Sequence, residues 1–367
     1  MSVGISYRGI KENIGWKLRF NQHHDLNVWG IMRDLRVRFE GLDNTFTGLL
    51  DQAGFITGIL QTKYNVIVME DGNDEPDVLF YSWLGMKHIK WHKCIRVYIT
   101  MEMDFPDFNL CDYAIGLVNI GMPHRYMHLP SYVYYNYLLE KYENRNKEID
   151  QSAVIKRDFC SIVLSNIYFR DSIYEKLFNA LNEYKLVASG GKWRNNIGAQ
   201  VKDKLDFIRR YKFNIAVENT DVDGYVTEKI MEPFVAGTVP IYWGNSWVKK
   251  EFGEGGYINI QDFDTLDRAV EFIKKVDAND ELYLKMLARG PQIPFSYGEW
   301  CSRLLDFLVK AIEHGKYLKN YELYHIVHKE HFWVYYVRSK VPIKLYCKIV
   351  NAGYRFWWFI KRHGRMK

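Results

Sequence analysis

The sequence predicts an α/β protein made of two Rossmann-like domains that face a cleft. Short apolar runs of strand length alternate with longer stretches of helical spacing, the pattern of parallel sheets covered on both faces. The length, 367 residues, exceeds what one hydrophobic core usually organises. A charged segment at residues 140–158 splits the alternation into two cycles and reads as a linker or a poorly packed connection. The expected boundaries are 1–155 for the first domain, 156–315 for the second, and 316–367 for a C-terminal helix and tail.

Element by element, residues 16–20, 64–69 (YNVIVM), 78–80 and 96–100 read as buried strands, with a helix over 46–60. After the charged segment, strands are expected at 160–164, 186–188, 213–217, 239–243 and 257–260. Helices are expected at 171–182, at 228–236 with Gly237 closing it, and at 264–276.

Charge is unevenly placed. From His325 onward there are ten Lys/Arg against the single acid Glu330, so the tail carries +9 of a net +6 and the rest of the chain is −3. A nucleic-acid binder would carry its basicity on the folded body, so that partner class is set aside. The tail interleaves its cations with Phe332, Trp333, Tyr335, Tyr336, Trp357 and Trp358 among other rings, the composition of an interfacial membrane contact. RNA contact, or packing back onto the first domain, would use the same residues. The five cysteines form no CxxC pair and imply free thiols. The first twenty residues lack a signal-peptide core, and no run reaches the length of a membrane span, so a cytoplasmic protein peripherally attached to the membrane is expected.

Chemistry concentrates in residues 213–244, FNIAVENTDVDGYVTEKIMEPFVAGTVPIYWG. A strand runs into a polar loop, and Thr227 caps a helix that starts with Glu228 and Lys229. Helix N-termini attract anions, and a lysine in the first turn opposes the helix dipole. A bound pyrophosphate would resolve that conflict; a solvated surface lysine would need no such partner. Asp221-Val222-Asp223 has the form of a metal-binding DxD, but two acids before a glycine are also ordinary turn chemistry.

The order E-N-x(5)-Y-V-T-E-K-I followed by A-G-x-V-P-I-Y-W-G resembles the signature of the bacterial α1,3-fucosyltransferases, glycosyltransferase family 10. Residues 160–170 (CSIVLSNIYFR), Gly190-Gly191 with Arg194 and Asn195, and residues 102–116 (EMDFPDFNLCDYAIG) are similar to further family segments, so the resemblance spans about residues 15–300. It implies a GT-B fold with the donor, GDP-fucose, in the second domain. By that correspondence Arg170 contacts the nucleotide phosphates and Lys229 neutralises the leaving diphosphate. Asn219, Tyr225 and Glu228 hold ribose and sugar hydroxyls, and Arg194 assists from the glycine-rich loop. Since lysine and arginine supply the cations, no metal or other cofactor is expected to be required, although a divalent ion would be compatible with stimulation.

An inverting transfer needs a carboxylate to accept the acceptor's proton. Glu102, Asp104 and Asp107 are equivalent on residue type alone; the resemblance selects Glu102. The implied reaction moves L-fucose to a glycan hydroxyl, with O3 of N-acetylglucosamine in a lipopolysaccharide O-antigen as the expected acceptor. The alternatives are a GT-B enzyme using another nucleotide sugar, or a non-catalytic glycan- or membrane-binding module. Met103, Leu117-Val118, His124 and His128 depart from the family pattern and are assigned to the acceptor side, as packing or acceptor contacts. His23-His24 is a further candidate for acceptor contact.

Overall fold

The computed structural model describes residues 32–42, 52–69, 74–82, 93–134, 138–145, 150–165 and 173–317. From Arg33 on they belong to one compact unit holding two sheets. The strand expected at 16–20, His23-His24, Arg170 and the basic tail lie outside the described residues.

The first sheet is built from β1 (Asp34–Glu40), β2 (Asn65–Val68), β3 (Val78–Tyr81), β4 (Ile95–Ile99), β5 (Tyr113–Gly116) and β6 (Tyr126–His128). All its pairings are parallel, in the order β2-β1-β3-β4-β5-β6. Helix α1 (Gln52–Leu60) buries Phe55, Ile56, Ile59 and Leu60 in the core that also holds Val37, Phe80 and Val97. β2 corrects one expectation. Read as a buried strand, it is the outermost strand of the sheet, and Ile67 and Val68 are 42% and 50% exposed.

The charged segment is also not a loose linker. After α2 (Ser131–Tyr134), it forms α3 (Leu138–Asn144) and α4 (Gln151–Val154), and α3 buries Leu138 and Leu139. Arg145 donates to the Phe234 carbonyl, and Arg157 Nη1 donates to the Gly237 carbonyl at 2.6 Å. Both arginines of a segment that reads as solvated serve as donors to carbonyls at the end of a later helix.

The second sheet contains β7 (Asp158–Ile162), β8 (Val187–Ser189), β9 (Tyr211–Val217), β10 (Val239–Trp243) and β11 (Ile258–Asn259), again all parallel. Between them run α5 (Ile173–Tyr184), α6 (Lys204–Ile208), α7 (Glu228–Ala236) and α8 (Val248–Phe252). β9 is buried along its whole length, as the central strand of a doubly covered sheet must be. After β11 come α9 (Leu266–Asp277), α10 (Asp280–Arg289) and α11 (Tyr297–His314). α11 starts in a capping box of Ser296 and Glu299 and returns to the first sheet. There the Tyr113 hydroxyl donates to the Gly315 carbonyl at 2.8 Å, and the Tyr317 N–H donates to Asp112 at 2.9 Å.

The strand order β11-β10-β9-β7-β8 reverses between β7 and β9. In open α/β sheets, the crevice beyond the carboxyl ends of the strands at such a reversal is where ligands bind.

Candidate functional site

A cavity of about 100 Å³ opens at that reversal. Ile162, Val163 and Leu164 line it from the end of β7, Ile215 to Val217 from β9, and Lys204, Glu228, Lys229 and Glu232 supply its charge. Asn214 Nδ2 donates to Ser161 Oγ at 2.9 Å, tying the two strands together under the cavity floor. Beside it the glycine-rich loop passes so close to β7 that a Cβ on Gly191 would lie 2.1 Å from the Leu164 carbonyl oxygen. No larger residue fits there.

β9 leads directly into the first charged group. Glu218 is fully buried and accepts from the Thr227 N–H at 2.8 Å and the Thr227 hydroxyl at 2.7 Å. Thr227 in turn caps α7, which fixes where the helix points. The Lys229 ammonium lies 3.0 Å from Thr227 Oγ1, 3.2 Å from Glu228 Oε1 and 3.4 Å from Glu218 Oε2. From α6, Lys204 pairs with the buried Glu232.

The carboxyls respond differently to this shared field. Burial would raise Glu228, but Lys229 and Lys204 outweigh it and hold the group down to about 2. Burial dominates at Glu218 and Glu232, which stay above the ordinary carboxylate range despite Lys229 and Lys204 respectively. The site is thus a compact cluster of cations and acids at a helix start, suited to an anionic group that competes with the acids for the ammoniums.

Tyr225 is buried, and its hydroxyl accepts from Asn219 Nδ2 at 3.4 Å. Burial raises the Tyr225 phenol, Lys229 opposes that, and the carboxylates of Glu218 and Glu102 add to it. Glu102 therefore lies within electrostatic reach of the second-sheet loop, although it belongs to the first sheet. It stands three residues past β4 with an exposed side chain, its N–H donating to Thr100 Oγ1 at 3.2 Å. Its neighbours are committed to the shape of the loop. Asp104 accepts from the Tyr98 hydroxyl, and Asp107 accepts from the N–H and side chain of Asn109.

Of the expected site residues, the structure gathers Asn219, Tyr225, Glu228 and Lys229 at the edge of the second sheet, with Glu102 on the edge of the first, within electrostatic reach of Tyr225. Arg194 is placed otherwise: its guanidinium is bonded to Glu175 and Asn179 of α5 and lies 5.0 Å from the Trp193 ring centroid. The Asp221 carboxylate is occupied by amide donors, Asn245 at 2.6 Å and Gln261 at 2.9 Å. Among the described residues no cluster of three or more His, Cys, Asp or Glu is placed to hold a metal ion.

Of the residues that depart from the family pattern, Leu117 and Val118 form an apolar cluster with Tyr225, and His128 Nε2 is 3.0 Å from the Gly224 carbonyl. These three pack against the loop of the second sheet, whereas Met103 is exposed. Sequence reasoning missed Glu218, Lys204 and Glu232 as site members. Glu218 stood inside the recognised motif and could have been found there. The Lys204–Glu232 pair has only a spatial relation, with no local spacing to announce it.

Known protein families match the chain over both sheets. The model of the "Alpha-(1,3)-fucosyltransferase FucT N-terminal domain" matches residues 37–135. The model of "Glycosyltransferase family 10 (fucosyltransferase) C-term" matches residues 151–289, and together the two cover well over half of the chain. The alpha-(1,3)-fucosyltransferase FucT of Helicobacter pylori is 33% identical over 267 residues, which is 64% of this chain and 55% of that protein. The 4-galactosyl-N-acetylglucosaminide 3-alpha-L-fucosyltransferase 9 of Mus musculus is 34% identical over 91 residues, 24% of this chain and 25% of that protein. The chain thus spans about half the length of the first of these relatives and a quarter of the second. A crystal structure of an alpha1,3-fucosyltransferase with GDP-fucose superposes with a TM-score of 0.66 at 26% identity, covering 79% of this chain and 94% of the other.

Proposed function

This chain belongs to glycosyltransferase family 10, the fucosyltransferases, and we propose from that premise that it moves L-fucose from GDP-β-L-fucose to a glycan hydroxyl with inversion at the sugar carbon. The observation that carries the reading is the Lys229 ammonium at the start of α7, opening with Lys204 onto the cavity where the strand order reverses. A diphosphate placed there meets the helix N-terminus and both ammoniums, with Arg170 as a further cation by family correspondence. Across from it, Glu102 takes the proton of the acceptor hydroxyl as that oxygen attacks the fucose carbon. The bond to the diphosphate breaks on the opposite face, and Lys229 meets the charge on departing GDP. Being exposed, Glu102 returns its proton to solvent.

We propose O3 of N-acetylglucosamine as the attacking oxygen, in a surface glycan such as a lipopolysaccharide O-antigen. The name of the mouse relative, which puts fucose at position 3 of a galactosylated N-acetylglucosaminide, supports this choice. With the leaving charge met by protein cations, the reaction needs no metal. The basic, aromatic tail would hold the enzyme at the cytoplasmic face of a membrane.

The test is incubation with GDP-fucose and a panel of N-acetylglucosamine-containing acceptors, followed by linkage analysis. The reading expects a fucosylated product, inhibition by GDP and not by UDP, and activity that survives EDTA. Transfer only from a uridine-nucleotide sugar would replace the donor, and glycan binding without transfer would make this a binding module.

A further inference from the structure

The loop carrying Asn219 and Tyr225 is gripped from the other half of the molecule at one turn. Gly224, immediately before Tyr225, has a φ of +85°, and a Cβ there would lie 2.5 Å from the Asn119 nitrogen. The Asn119 N–H donates to the Asp223 carbonyl at 2.7 Å. One peptide further on, the Gly224 carbonyl faces His128 Nε2 at 3.0 Å. A carbonyl can only accept, so Nε2 carries the proton of this bond.

The ring is fixed from several sides. The Leu117 carbonyl faces it, and the Trp247 ring meets it edge-on at 5.8 Å between centroids. Glu251 Oε1 lies 3.7 Å from Nε2, while the Tyr132 hydroxyl donates to Glu251 Oε2 at 2.9 Å. Burial raises the Glu251 carboxyl to about 8, against the opposing Tyr132 bond, so near neutrality it is mostly uncharged and does not draw the Nε2 proton from Gly224.

We propose that His128 is a positioning residue for the donor: its Nε2–H, donated to the Gly224 carbonyl, holds the 219–225 loop in the shape that receives the nucleotide sugar. The inference rests on the donor reading above and adds a residue outside it. Without the bond, the loop spends less time in that shape, and the apparent dissociation constant rises as the inverse of the fraction that remains in it. Turnover at saturating donor is unchanged, because the bound loop is the same loop.

The experiment is calorimetric titration of GDP into the wild type, His128→Phe and His128→Gln, with kcat, KM for GDP-fucose and Tm measured alongside. His128→Phe fills the ring's place without a donor; losing one hydrogen bond, it is expected to weaken GDP binding and raise the KM about 3- to 10-fold, with kcat little changed. His128→Gln, whose amide can donate to the same carbonyl, recovers most of the affinity. If His128→Phe does not fold, His128→Asn, whose shorter amide stops short of Gly224, takes its place. Undiminished GDP affinity without the donor overturns the inference. So does a His128→Gln protein that loses affinity as fully as His128→Phe in step with its Tm, since the ring then only packs. A wild type that fails to bind GDP overturns the donor reading, and this inference with it.

Discussion

The two sheet edges that form the site are built in opposite ways. On the second sheet, Glu218, Thr227, Glu228, Lys229, Lys204 and Glu232 bond one another around a small cavity, and the first of them is fully buried. On the first sheet, Glu102 stands on an exposed loop beside Met103 and Phe105, which are 43% and 56% exposed. A diphosphate of fixed geometry and high charge repays a rigid, preorganised cradle. A hydroxyl on a variable glycan needs one carboxylate and room. On the proposed reading, donor recognition is stored in the fold, whereas acceptor recognition is left to a loop.

If that contrast holds, substitutions on the two edges should separate turnover, binding and stability. The largest effect is expected at the exposed edge. Glu102→Gln removes the proton acceptor and should lower initial rates of fucose transfer by ~10²- to 10⁴-fold. Asp104→Asn and Asp107→Asn, which alter loop anchors only, should cost far less in the same assay. Lys229→Ala comes next. Losing charge-assisted contacts should weaken GDP binding by ~1.5–3 kcal/mol in calorimetry, with Tm also falling as buried acids lose their counter-charge.

Thr227→Val tests how far the cradle is structural. It removes both the α7 cap and a donor to Glu218, and denaturant unfolding should show a loss of ~1–2 kcal/mol. The most diagnostic change is Glu251→Gln. In the native state this carboxyl keeps its proton up to about 8, whereas the unfolded chain loses it near the ordinary glutamate value of 4.5. Unfolding therefore releases a proton across that window, and stability falls as pH rises through it. Glu218 and Glu232 are raised too and act in the same direction. Glu251→Gln should flatten the fall of Tm between pH 5 and 8 without abolishing it; an unchanged slope would mean that Glu251 is not held neutral.

The same contrast governs what the sequence made legible. Strand–loop–helix logic placed β9, the Thr227 cap, α7 and its Gly237 terminus within a residue or two, because these elements lie in one continuous stretch with local start and stop signals. β1, β5 and β6 went unnoticed. Each is short or interrupted by polar residues such as Arg36 and Arg38, and their pairing is set by neighbours distant in the chain. The 140–158 segment misled because its arginines looked solvated, when they donate to carbonyls of α7 and its C-cap. Lys204, and the partner of His128, were beyond reach for the same reason: each pairing spans 28 or 96 residues of chain.

The central claim is that binding and proton abstraction reside on different edges, and one titration tests it most directly. GDP titrated into Glu102→Gln should show wild-type affinity in a protein whose transfer is nearly lost. If GDP affinity collapses together with turnover, Glu102 belongs to the donor cradle, and the division between a rigid donor edge and a catalytic acceptor edge is wrong.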